Sequence, residues 1–160
     1  MPTIQLGDVS LYYEEAGQGE PLLLLHGLGS SGHDWELVSP ALAAQHRVIK
    51  PDVRGHGRSD KPAGEYTVPQ HAKDIAALCD RLSLGKVHVV GLSMGGMIAF
   101  ELAVQRPELV RSLTIINSGP DMVPRTLRFW LALKLRMLLL KLWGPAKLAA
   151  LRSEEHTSEL

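Results

Sequence analysis

The run Pro21-Leu22-Leu23-Leu24-Leu25 is apolar at every position and stops abruptly at His26-Gly27. A strand with one wet face alternates apolar and polar residues, so an unbroken run this short predicts a central strand covered on both faces. A sheet with helices on either side supplies that environment, and the rest of the chain agrees with it. Short apolar runs at Arg47-Val48-Ile49, Val87-His88-Val89-Val90 and Leu113-Thr114-Ile115-Ile116 alternate with stretches at helical spacing. Helices are expected over Trp35–Gln45, over Val68–Leu82 with Ala72, Ile75, Ala76, Leu78, Cys79 and Leu82 on one face, and over Met97–Gln105, ending before Pro107. Residues 3–15 differ. Ile4, Leu6, Val9, Leu11 and Tyr13 alternate with polar residues around Gly7-Asp8, the pattern of an antiparallel hairpin. The expected fold class is therefore α/β, with a mostly parallel sheet and helices on both faces.

Composition narrows the function classes. With 160 residues, 45% of them hydrophobic, the chain can form one globular core without covalent staples. Its 17 basic and 17 acidic residues balance, which argues against a dedicated nucleic-acid binder. The single cysteine, Cys79, excludes a disulfide framework; its place on an apolar helix face makes it a small core residue, and a reducing compartment is its natural home. The N-terminus carries no basic stretch followed by an apolar run, so a cytoplasmic location is expected.

Three segments could carry chemistry. Gly91-Leu92-Ser93-Met94-Gly95 matches G-x-S-x-G between a predicted strand and a predicted helix, a context in which a sharp turn holds the serine exposed and small neighbours let backbone pass close by. Gly96 extends that permissive surface. Ser93 is the candidate nucleophile. The second segment is His26-Gly27-Leu28-Gly29-Ser30-Ser31-Gly32, where a loop can supply half of an oxyanion hole. Acyl transfer needs preorganised N–H donors where negative charge develops, here the backbone N–H groups of Leu28 and Met94. His26, Gly27, Gly29, Gly91, Gly95 and Gly96 would support loop and elbow. The third segment, residues 52–60 (Asp-Val-Arg-Gly-His-Gly-Arg-Ser-Asp), reads as a structural turn, with His56 a satisfied turn residue rather than a base. The other histidines, His33, His46, His71 and His88, read as surface or core residues.

In these three motifs, their order and their spacing, the chain resembles the α/β-hydrolase family over about residues 3–150, and most of all its esterase and 3-oxoadipate enol-lactonase branch. The resemblance implies a serine nucleophile, an eight-stranded mostly parallel sheet, a helical lid after the sixth strand, a small-molecule acyl substrate and neither metal nor organic cofactor. Ser93 counts against the epoxide hydrolase and haloalkane dehalogenase branches, which resemble this chain but place aspartate there. The same scaffold also supports carbon–carbon bond hydrolases, perhydrolases and non-catalytic binding proteins.

An activated serine needs a base, and the base needs an orienting acid; in this fold they follow in the order Ser, Asp or Glu, His. By the resemblance they come after the seventh and eighth strands, so no general base is expected within these residues. Asp121, just past the sixth predicted strand, is the one candidate acid, since some branches take theirs from that point; otherwise it is a loop aspartate beside Pro120. Residues 1–124 would form the N-terminal part of the hydrolase core and 125–151 the start of the lid. The segment from Arg125 to Arg152 inclusive holds seven basic residues and no acid, with Phe129, Trp130 and many leucines between them. Lys134, Arg136 and Lys141 interrupt any span of the roughly 20 apolar residues a membrane helix needs, and the basic residues form no single polar face, so membrane contact is the least favoured reading there. Residues 152–160 look like the conceptual translation of a common sequencing-adapter oligonucleotide. The natural protein is expected to diverge near Leu151 or Arg152, and His156 is not counted as a base. The 160-residue chain alone is then expected to be inactive.

Overall fold

A computed structural model describes residues 2–120 and, further along, residues 128, 131, 134, 135 and 138. The chain divides into two compact units, Met1–Asp121 and Met122–Leu160. The first is built on a six-stranded sheet. Its strands are β1 (Thr3–Leu6), β2 (Val9–Ala16), β3 (Glu20–Leu25), β4 (His46–Pro51), β5 (Val87–Leu92) and β6 (Val110–Ile116), in the order β1-β2-β4-β3-β5-β6. β1 and β2 form the expected hairpin around a left-handed Gly7, and β2 joins β4 antiparallel; β4, β3, β5 and β6 run parallel.

The leucine run sits where its composition demands. Leu23 and Leu25 belong to the larger apolar cluster with Ile49, Val89, Ile75, Leu78, Ile98 and Leu102, under α2 (Val68–Arg81) and α3 (Met94–Gln105). Leu22 and Leu24 point to the other face, against Trp35, Val48 and Leu42. Alternate side chains of one strand thus serve two cores, and all four leucines are buried. Cys79 is fully buried in the larger core, where burial pushes its thiol up to about 12, far from any reactive thiolate.

Three expectations shift in detail. The helix expected over 35–45 is a 3-10 turn, Gly32–Trp35, followed by a short α1 (Ser39–Ala43). Pro40 has no N–H and crowds the turn before it, so a helix can begin beside it but cannot run through it. α3 begins at Met94, three residues earlier than the glycine-rich sequence suggested, because Gly95 and Gly96 are needed there for close packing (below). β6 is longer than expected and is the last strand of the described sheet; Leu113 and Ile115 are half-buried, whereas Ser112, Thr114 and Ile116 are exposed.

In the second unit, Arg128, Leu131, Lys134, Leu135 and Leu138 are helical, and Leu131, Leu135 and Leu138 are exposed. The divisions expected at residues 124 and 151, the candidate acid Asp121 and the tail 152–160 fall on residues outside the described ones. No helix among the described residues is long and apolar enough to cross a membrane.

Candidate active site

The connection leaving β3 goes to β4 on one side, and the connection leaving β5 goes to β6 on the other. Two neighbouring parallel strands whose outgoing connections diverge leave a crevice at their carboxyl ends, the usual ligand position in such sheets. The two segments flanking this crevice are the loop after Leu25 and the turn at Ser93, two of the three that the sequence singles out.

Ser93 joins β5 to α3 with φ 51° and ψ −114°. A non-glycine residue held at positive φ costs on the order of 1–3 kcal/mol and persists only where its surroundings over-determine it. Here they do. Its N–H extends the β5–β6 ladder by donating to the Ile116 carbonyl (3.0 Å), while its carbonyl accepts from the Gly96 (2.9 Å) and Met97 (3.3 Å) N–H groups. Backbone crowding explains the glycines. A Cβ on Gly91 would lie 2.4 Å from the Gly95 carbonyl oxygen, one on Gly95 would lie 2.2 Å from that of Leu25, and one on Gly96 would lie 2.5 Å from Ser118 Cβ. The first turn of α3 therefore presses directly against the ends of β3 and β5. Ser93 is half-buried, and its hydroxyl has no hydrogen-bond partner among the described residues.

Across the crevice, Gly27 lies beside Ser93, the place of its missing Cβ being 3.7 Å from Ser93 Cβ. The loop from Gly27 to Ser30 is a tight turn. Ser30 N–H donates to the Gly27 carbonyl (3.3 Å), and Gly29 has φ 75°, in the third position, where left-handed backbone favours glycine. The fully buried His26 orients this turn. Val53 N–H donates to His26 Nε2 (3.1 Å), so Nε2 is unprotonated and the proton sits on Nδ1, from which it is donated to the Gly27 carbonyl (2.8 Å). Burial, the largest influence on this ring, lowers its pKa and keeps it neutral. In a trans peptide the C=O and N–H point in opposite directions. Holding the Gly27 carbonyl from two sides therefore directs the Leu28 N–H away from both donors. Neither the Leu28 nor the Met94 N–H has an acceptor among the described residues, and Met94 stands in the first turn of α3, where helical N–H groups are free and the helix dipole is positive.

Two carboxylates absent from the sequence-based site brace this loop. Asp34 accepts from the Gly27 N–H (3.2 Å) and, through its other oxygen, from the Ser30 hydroxyl. Asp52, fully buried, accepts from the Gly32 N–H (2.7 Å) and the Arg58 N–H (2.8 Å), tying the loop after β3 to the turn after β4. Gly57 makes room for it, since a Cβ there would lie 2.1 Å from Asp52 Oδ2. No motif marks Asp34. Only the fold of the 3-10 turn returns it to the backbone seven residues earlier. His56 Nδ1 is 3.1 Å from the Arg54 carbonyl, inside the turn of residues 52–60. None of the described histidines hydrogen-bonds Ser93, and no group of three or more metal-ligating side chains occurs among the described residues.

A family model described as the alpha/beta hydrolase fold matches residues 20–141. The chain belongs to the α/β-hydrolase family. Among its relatives in this family, RutD of Azorhizobium caulinodans, assigned as a carbamate hydrolase, is 44% identical over 117 residues, which cover 73% of this chain and 44% of that protein. The soluble epoxide hydrolase of a Corynebacterium species is 41% identical over 113 residues, 71% of this chain and 40% of the relative. Among solved α/β-hydrolase structures, Est816, described as an N-acyl homoserine lactone degrading enzyme, superposes with TM-score 0.72 at 38% identity, over 77% of this chain and 49% of its own. This α/β-hydrolase chain thus spans less than half the length of each of these three proteins.

Proposed function

We propose that the whole protein is a serine hydrolase that cleaves a small carboxylic ester, lactone or related acyl compound. Ser93 Oγ attacks the carbonyl carbon, and the carbonyl π electrons move onto oxygen, where the Leu28 and Met94 N–H groups receive the charge. A histidine takes the serine proton and passes it to the departing alkoxide; a water molecule, deprotonated by the same histidine, then releases the acid and restores the serine. None of the described histidines reaches Ser93, so that histidine is assigned to another part of the whole protein, as is its orienting carboxylate unless Asp121 supplies it.

The observation that carries this reading is the conformation of Ser93: a serine kept at positive φ, its hydroxyl unengaged among the described residues, beside a loop whose Leu28 N–H has no acceptor among them. The lactone-degrading Est816 supports the acyl class, and the serine itself separates this chain from the aspartate expected of epoxide-opening branches. A single buried cysteine fits a cytoplasmic enzyme.

The test is labelling with a fluorophosphonate. The full-length gene product is expected to react stoichiometrically at Ser93 and to lose ester hydrolysis by roughly a million-fold in Ser93→Ala, the scale on which triad members act. The 160-residue chain, without the base, is expected to label at least a thousand-fold more slowly. Hydrolysis that persists in Ser93→Ala would remove the serine from the mechanism.

A further inference from the structure

We propose that Asp34 is a positioning residue for the oxyanion site, an assignment that rests on the serine hydrolase reading and extends it to a side chain that touches no substrate. The argument begins at Gly27. Glycine has the loosest backbone of any residue, and this one directly precedes the Leu28 N–H and lies against Ser93. Two peptide planes meet at its Cα. The downstream plane, carrying the Leu28 N–H, is held at its carbonyl by His26 Nδ1–H and Ser30 N–H. The upstream plane, carrying the Gly27 N–H, has one partner among the described residues, Asp34 Oδ2 at 3.2 Å.

The other Asp34 oxygen holds the Ser30 hydroxyl, whose own backbone N–H closes the turn on Gly27. One carboxylate thus pins both ends of the four-residue turn that presents the donor. Asp34 is itself anchored: its N–H donates to the Ser31 carbonyl (3.1 Å), the next residue, Trp35, is buried in the smaller core, and Gly32 is bonded to buried Asp52. The carboxylate is exposed to solvent, so it adds little to the core. Its effect falls on the angle of a single N–H.

Substitution should therefore affect the transition state more than the fold. An N–H displaced by about 1 Å can cost on the order of a hundred-fold in rate, and a lost donor a hundred- to a thousand-fold. In the full-length gene product, with p-nitrophenyl butyrate as substrate and a phenylboronic acid as the tetrahedral mimic, Asp34→Ala is expected to lower kcat about 10- to 100-fold. KM should change by less than about threefold, and boronate affinity should weaken in step with kcat/KM. Asp34→Asn, whose carbonyl can still accept from Gly27 N–H while its amide donates to Ser30 Oγ, should recover most of the loss. Ser30→Ala, removing one of the two tethers, should fall between the wild type and Asp34→Ala, and it tests the same idea should Asp34→Ala fail to fold.

Wild-type kcat in Asp34→Ala and Ser30→Ala overturns the assignment. Equal losses in Asp34→Ala and Asp34→Asn also overturn it, by showing that the charge matters and the tether does not. Ser93→Ala separates the two levels: hydrolysis abolished there but untouched at Asp34 defeats only this inference, whereas hydrolysis surviving in Ser93→Ala defeats the serine reading beneath it.

Discussion

A methyl group on Gly95 would meet the Leu25 carbonyl oxygen at 2.2 Å and that of His26 at 2.8 Å, both backbone atoms that cannot swing aside. The helix would have to lift from the sheet just where Ser93 is held. Gly95→Ala is accordingly expected to destabilise the protein by at least the roughly 1–3 kcal/mol typical of overpacking, read as a lower urea midpoint with unchanged slope. Gly29→Ala makes a useful contrast. Open space surrounds that position, so only its φ of 75° opposes a side chain, and a penalty of about 1 kcal/mol is expected. At this scale the G-x-S-x-G glycines are legible in sequence because their chemistry is local. Asp34 is not: an aspartate beside a tryptophan looks like any first-turn acid, and only the returning chain reveals what it holds.

Between elements, the strongest polar tie is Arg54. It reaches from the turn after β4 to Asp74 on α2 (2.5 and 2.8 Å) and to Asp8 in the β1–β2 turn (3.2 Å), and the Arg54 and Asp74 side chains are almost fully buried. Hydrogen bonds to Asp74 and Asp8 hold its guanidinium firmly charged, against the effect of burial. Removing one partner of a buried pair strands a charge, so Asp74→Ala should cost about 3–5 kcal/mol, towards the lower end because Asp8 remains. Asp8 is largely exposed, and Asp8→Ala should cost far less than Asp74→Ala. Chemical denaturation of both variants checks the ranking. The position of β3 was readable from its apolar run, since burial on two faces leaves no polar alternation, and those of β1 and β2 from their alternation. The start of α2 at Val68 was readable too, but those of α1 and α3 were not, because proline at 40 and glycines at 95 and 96 act through neighbours that the local sequence does not show.

Over the whole first unit, acid should unfold the protein from two sides. Buried His71, whose Nδ1 has no partner among the described residues, is lowered from 6.5 to about 4, chiefly by burial and then by nearby His56; Asp74 acts in the opposite direction, and Arg54 and His26 add to the lowering. The unfolded chain takes up that proton first, so stability from this site is complete above about pH 6.5 and falls as pH drops towards 4. Glu14, hydrogen-bonded by Lys50 and Arg58, is lowered from 4.5 to about 2, and its contribution disappears between those values. The urea midpoint is therefore expected to decline from pH 6.5 downward, and His71→Gln should flatten the upper part of that decline without touching the lower. Sequence by itself determined the sheet and its covered strand, the hairpin, the serine turn and the family, because apolar periodicity and glycine conformation are properties of neighbouring residues. Tertiary structure alone decided which strands lie side by side, and so which loops share the crevice. It also decided the tautomer of His26, the bracing by Asp34 and Asp52, and the burial of Arg54, because each depends on groups between 7 and 46 residues apart along the chain, brought into contact by packing that no local pattern encodes.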